Sequence, residues 1–253
     1  MRFPFLTARW SNLFLATFTV PPSLLLRRLP PGLELDTREG QAFVSLVAFD
    51  FLDTRVLGVP WPGYRNFAEL NLRYYVRHGN DRGVSFVREF VPLRLVAWLA
   101  RLLYNEPYLA AHLTSTIQED AGSLTLEHRL HWRGRVHTIR ATGCKPGSCP
   151  PETSLDHFFK EHRWGYGTTR GGRTLRYEVV HPEWEVYPIK DYWIDLDWGT
   201  VYGQEWEFLN EGTPCSTVLA AGSAVRVYPQ GKLKSEIGTT ACEKSQEIDK
   251  APR

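Results

Sequence analysis

The stretch Phe67-Ala-Glu-Leu-Asn-Leu-Arg-Tyr-Tyr-Val76 alternates between two kinds of side chain along its whole length. Side chains of a β-strand point to opposite faces in turn, so Ala68, Leu70, Leu72, Tyr74 and Val76 share one face. Phe67, Glu69, Asn71, Arg73 and Tyr75 share the other. The first face is a core face. The second, which carries an acid, an amide, a guanidinium and a phenol, is either wet surface or the lining of a cavity. Which of the two it is decides what function can be read from the chain.

Working outward, the turn at residues 78–83 leads into a strand at Val84 to Phe90, so residues 67–90 form an expected hairpin. Trp10 to Val20 and Gln41 to Leu52 read as strands, the second apolar on both faces and therefore central in a sheet. Between them Pro22 opens a short helix that stops at Pro30-Pro31-Gly32. Pro92 opens another, Leu93 to Tyr104, with Leu95, Val96, Leu99 and Leu103 at helical spacing. Leu124 to Trp132 alternates cleanly and Arg135 to Thr142 returns beside it across Arg133-Gly134; Thr153 to Arg163 reads as a short amphipathic helix. Thr174 to Val180, Glu183 to Tyr187 and Ser216 to Tyr228 supply further strands. Short strands in this number with two or three short helices predict an α+β fold, mainly antiparallel, with the sheet curled into a cone or barrel. Residues 1–229 are expected to form a single domain. Residues 230–253 are polar and lack aromatic side chains, and are expected to form a disordered tail.

With 253 residues, 43% of them hydrophobic, the chain can bury a sizeable core. A formal charge of +2 with dispersed arginines lacks the basic footprint of a nucleic-acid binder. Cys144, Cys149, Cys215 and Cys242 are too few and too late in the chain for a disulfide scaffold, which points to a reduced compartment. The apolar run at residues 11–20 has no small-residue cleavage site and ends in two prolines, so it reads as a strand rather than a leader. The most apolar helical stretch, Leu95 to Leu103, is interrupted by Arg101 and is too short to span a bilayer. A soluble, cytoplasmic protein is expected, with no nucleic-acid or membrane partner.

Several constellations suggest chemistry. Glu69, Asn71, Arg73 and Tyr75 would make a hydrogen-bonded cluster in which Arg73 holds a carboxylate and Glu69 acts as acid or base; the alternative is an exposed strand face or a structural ion pair. Arg101, Tyr104 and Tyr108 would complete such a site from a helix end, or else form a snorkelling arginine with packed rim tyrosines. His181, before a proline, reads as a structural histidine. Cys144-x4-Cys149 with His131 and His137 does not match the spacing of structural zinc pairs, so loop cysteines and no metal are expected. The tryptophans between Trp184 and Trp206 lie among seven acidic residues, and read as aromatic anchors of a solvated face or as a partner surface.

The order Leu29-Pro-Pro-Gly-Leu33, Ser45-Leu-Val47, Phe67 to Val76, Ala100-Arg-Leu-Leu-Tyr-Asn-Glu-Pro-Tyr108 and His181-Pro-Glu-Trp184 resembles the uncharacterised YqjF-like family over roughly residues 3–228. That family resembles, distantly, the acetoacetate decarboxylase-like superfamily. The resemblance implies a cone-shaped antiparallel barrel with a site in its cavity, and Glu69 matches the superfamily's cavity glutamate. The decarboxylases of that superfamily form an imine through a lysine beside a proline, after a helix. The matching segment here carries Tyr108 after Pro107 and no lysine; the nearest downstream lysine is Lys145 and none lies upstream. Imine chemistry by that route is therefore not expected. Three readings stay open: a non-imine enzyme acting on an organic acid or carbonyl compound, a ligand-binding or sensing module that lost the lysine, and a partner-binding protein using its tryptophan-rich acidic segment. No cofactor is implied; the expected partner is a small molecule, and a homo-oligomer is left open.

Overall fold

The computed structural model describes residues 2–103, 105 and 107–233. In chain order it contains β1 (Leu6–Val20), α1 (Pro22–Leu26), β2 (Glu34–Leu35), β3 (Ala42–Val56), β4 (Phe67–His78) and β5 (Asp81–Val91). Next come α2 (Arg94–Leu103), β6 (Tyr108–Ala110), β7 (His112–Glu119), β8 (Ser123–Trp132), β9 (Arg135–Cys144) and α3 (Leu155–Lys160). The last part holds β10 (Trp164–Thr168), β11 (Thr174–Val180), β12 (Val186–Tyr187), β13 (Ile189–Asp195), α4 (Trp198–Tyr202), a 3-10 helix (Gln204–Glu211) and β14 (Ser216–Lys232). The expected antiparallel-rich α+β class is what the chain adopts.

The larger sheet runs β2-β4-β3-β1-β14-β11-β10-β5-β6, and a further pairing of β4 with β5 joins its two arms into a closed circuit. The smaller sheet runs β13-β9-β8-β7. The strand at residues 42–56 lies between β4 and β1, as its two apolar faces require. One face of β1, β3 and β4 (Phe14, Ala16, Val44, Leu46, Leu70, Leu72, Tyr74) packs on Leu113, Leu124, Leu126, Leu130 and Ile139 of the smaller sheet and on Trp198, Val201 and Trp206. Each of these large apolar side chains gains about 1.5–3 kcal/mol by leaving water, and together they clamp the two sheets. With that face filled, the opposite face of the same strands turns inward to a second apolar cluster (Leu13, Leu15, Val47, Phe49, Phe51, Phe67, Trp184).

Two local irregularities shape the circuit. In β1, Asn12 adopts φ +54° where the register against β3 shifts between Ser11 and Phe14. Asparagine tolerates this left-handed conformation, and the bulge returns Trp10 to the same face as Leu13. In β5, Arg73 pairs with Phe86 but Leu72 with Arg88, leaving Val87 as an extra residue. That bulge exchanges the faces of β5 beyond Phe86.

Helices are shorter than the sequence predicts. The first ends at Leu26, and the third covers only Leu155–Lys160, capped by the Ser154 hydroxyl accepting from His157 N at 3.1 Å. Only Val186–Tyr187 of the expected 183–187 strand pairs. The acidic tryptophan-rich segment is less solvated than its composition suggests, because Trp184, Trp198 and Trp206 are buried and only Trp193 stands out. The last strand runs to Lys232, so the expected tail boundary falls within it, and residues 234–253 lie outside the described residues. No described helix is long and apolar enough to cross a membrane.

Candidate functional site

The inward face of the circuit encloses a cavity of about 390 Å³. Phe67, Glu69, Asn71 and Arg73 all line it, so the polar face of the opening stretch is a cavity wall rather than wet surface. Strand register assembles the rest. Asn71 lies opposite Glu89 on β5, and Glu89 lies opposite Tyr108 on β6, so three neighbouring strands present these side chains in a row beside Glu69.

Glu69 is 2% exposed and fully engaged. Asn71 Nδ2 donates to its Oε1 at 2.9 Å, the Tyr108 hydroxyl donates to its Oε2 at 2.9 Å, and the Glu89 carboxyl shares a further hydrogen bond with it. Burial pushes the Glu69 pKa up to about 7, against the pull of the three hydrogen bonds. A carboxyl group that titrates near neutrality can both give and take a proton. Burial and the neighbouring Glu69 and Glu89 charges push the Tyr108 phenol well above its ordinary range, so it remains a hydroxyl donor.

Arg73 supplies the opposite charge. One of its terminal nitrogens donates to Phe159 O at 2.7 Å, which ties β4 to the end of α3, while its buried Nε has no hydrogen-bond partner. Asn71 Oδ1 and both ring nitrogens of His162 are likewise buried without partners. Burial first, and then the nearby Arg73 and Arg82 charges, hold the His162 pKa well below its usual value, so this ring is neutral. His181 also lines the cavity; burial lowers its pKa, and its ring stacks on Trp184 at 4.1 Å between centroids.

Other expected site residues fall elsewhere. Tyr75 bonds Ser45 Oγ and, at 3.4 Å, Phe159 O, and it does not line the cavity. Its role is to hold the floor. Arg101 is exposed on α2, whose Val96, Leu99 and Ala100 line the cavity instead, which corrects the expected pocket guanidinium. Three of these four residues fall on the inner stripe of an amphipathic helix and Arg101 does not. Tyr104 lies outside the described residues. Cys144 and Cys149 are exposed free thiols.

Sequence reading passed over Glu89, Lys160, His162 and Tyr177, all but Glu89 from segments remote from the opening strand. Lys160 is the largest omission. Its side chain is fully buried on the cavity wall, paired with Glu161 and lying 3.7 Å from Glu183. A broader groove of about 590 Å³ on the outer surface shares only His181 with the cavity, and its other charged side chains, Arg9, Asp53 and Arg226, are exposed. The converging buried groups lie in the inner cavity.

Comparison with known proteins agrees with this architecture. The acetoacetate decarboxylase-like enzyme from Sphingomonas wittichii RW1 superposes with a TM-score of 0.66 at 13% identity, over 90% of this chain and 92% of that one. The enduracididine biosynthesis enzyme MppR complexed with pyruvate gives 0.62 at 14%, over 92% of both chains. The acetoacetate decarboxylase of Legionella pneumophila gives 0.57 at 14%, over 90% and 86%. At these identities the likeness shows the fold. In sequence, the uncharacterized protein YqjF of Bacillus subtilis is 32% identical over 176 residues, 68% of this chain and 70% of that protein. The family model DUF2071, described as an uncharacterized conserved protein, matches residues 7–224, and the chain belongs to that family.

Proposed function

We propose that the chain is an enzyme acting on an organic acid or carbonyl compound held within a closed barrel, without an imine intermediate. The observation that supports this most is the Glu69 carboxyl, buried between Asn71 and Tyr108 and titrating near neutrality, on the same strand as a buried arginine with an unpartnered Nε. In this reading Arg73 binds the ligand's anionic group, Glu69 moves a proton, and Tyr108 donates to an oxygen that gains negative charge. MppR, a neighbour in fold, is known with pyruvate bound, which agrees with an acid or carbonyl ligand. No imine step is invoked, since Tyr108 stands in the segment that matches the decarboxylases' lysine and Lys160 is paired with Glu161.

A second reading, a binding or sensing module, is favoured by that same substitution of tyrosine for lysine. The two are separated by incubating organic acids and carbonyl compounds with the protein and following them by NMR, beside Glu69→Gln. Turnover that disappears in Glu69→Gln with the fold intact supports the enzyme. Ligands that raise the melting temperature yet return unchanged support the binding module. Turnover equal to that of the unaltered protein would remove Glu69 from the mechanism.

A further inference from the structure

The cavity is chemically graded from floor to mouth. Because β1, β3 and β4 run side by side in fixed register, their inward residues form rungs. The deepest holds Thr17, Ser45 and Arg73; the next Leu15, Val47 and Asn71; then Phe49 beside Glu69; and last Trp10, Phe51 and Phe67. On these three strands the charged inward side chains are thus confined to the inner rungs. The outermost is a belt of aromatic rings, with Phe51 stacked on Phe67 at 4.7 Å and Trp10 edge-on to Phe51 at 5.8 Å.

The walls beyond continue the trend. Phe5, Leu6, Val56 and Leu57 line the cavity from the strand ends, and Val96 and Leu99 from α2. Leu57 is 72% exposed while lining the cavity, which marks the mouth and makes it apolar. At the floor, Lys160 is matched by Glu161, whereas no described carboxylate pairs with Arg73 and its Nε faces no acceptor. Among the described residues, Arg73 is therefore a cavity cation with no carboxylate partner, at the inner, polar end of a channel whose outer part is apolar. A small polar acid would satisfy Arg73 and leave the aromatic belt and the mouth unfilled.

Resting on the reading proposed above, we infer that the ligand is an amphipathic organic acid: a carboxylate bound at Arg73, carried on an aromatic or medium-chain alkyl body that fills the channel to its mouth. Each added methylene that enters the channel leaves water, worth about 0.8 kcal/mol, or roughly fourfold in affinity. A straight-chain series then reads the channel's length, and matching alcohols read the anion site.

The experiment is calorimetric titration of the full chain with pyruvate, 3-phenylpropionate and the straight-chain carboxylates from propionate to decanoate, each alkyl acid paired with the primary alcohol of equal length. The expected result is a dissociation constant that falls about fourfold per methylene until the channel is full, with alcohols at least tenfold weaker than acids. Arg73→Gln should bring acid and alcohol to the same affinity and keep the chain-length slope; the acid–alcohol comparison in the unaltered protein covers the case in which that variant does not fold. A flat series, or pyruvate binding more tightly than decanoate and 3-phenylpropionate, overturns the amphipathic ligand while the proposed function stands. Alcohols equal to acids overturn the carboxylate end. Folded protein that binds no acid of any length overturns this inference and the role of Arg73 as anion site, and the proposed function falls with them if carbonyl compounds are left unturned as well.

Discussion

Gly165 stands directly opposite Tyr177 in the β10–β11 pairing, and a Cβ at Gly165 would lie 2.1 Å from the Tyr177 ring. The phenol lies across its glycine partner and forms part of the cavity wall. In Gly165→Ala the ring must swing away, and overpacking of this kind costs about 1–3 kcal/mol. The expected outcome is a folded protein with a lowered melting temperature and altered ligand affinity. Unchanged melting and unchanged titrations would show that the ring moves without consequence.

Glu69 makes stability depend on pH in a defined direction. Its folded pKa of about 7 lies above the ordinary 4.5, so the folded chain holds this proton more tightly than the unfolded one. The associated stability is complete below pH 4.5, falls as pH rises, and is lost above about pH 7. Glu69→Gln has no such proton. Denaturant unfolding of the two proteins at pH 4.5 and pH 8 should therefore show the variant gaining on the parent by up to about 3 kcal/mol. A constant difference across that range would mean that Glu69 is ionised throughout. His162, with its depressed pKa, acts oppositely by lowering stability below pH 6.5, and cancels in this comparison.

Arg73 has two separable tasks. Its bond to Phe159 O fastens β4 to α3, while in the proposed function its guanidinium on the cavity wall receives the ligand's carboxylate. Hydrogen bonds to charged groups are worth about 1.5–3 kcal/mol, so Arg73→Gln should weaken carboxylate binding roughly 10- to 100-fold. Calorimetry checks this, and circular dichroism verifies that the variant is folded. Undiminished affinity would move the anion site to Lys160 or His181.

Lys160 and Glu161 are expected to act as a unit. Removing one partner of a buried pair leaves the other charge uncompensated and costs about 3–5 kcal/mol. Lys160→Met should approach the lower end, since Glu161 retains some contact with water. The double variant Lys160→Met with Glu161→Gln should recover most of the loss. Additive losses in chemical denaturation would show that the pair is not coupled.

Alternation from Phe67 to Val76 determined the strand, its two faces and four of the cavity residues, because side-chain period and hydrophobic burial act locally. The two-faced apolar run determined that residues 42–56 lie centrally, and the missing lysine beside Pro107 was visible by inspection. Other parts depended on contacts distant in sequence. Period-two reading from Phe86 puts Arg88 in the cavity and Glu89 outside; the bulge at Val87 reverses this, and nothing in the local sequence marks an extra residue that only pairing with β4 creates. Lys160 and His162 join Arg73 on the cavity wall because Phe159 O accepts a hydrogen bond from its guanidinium across 86 residues of chain. Whether the polar face of the opening strand met water was settled by the smaller sheet: once Leu126, Leu130 and Ile139 filled the opposite face, Glu69 and Arg73 had only the interior to occupy. Local periodicity determines which residues share a face, and only the closure of the chain around that face determines what the face encloses.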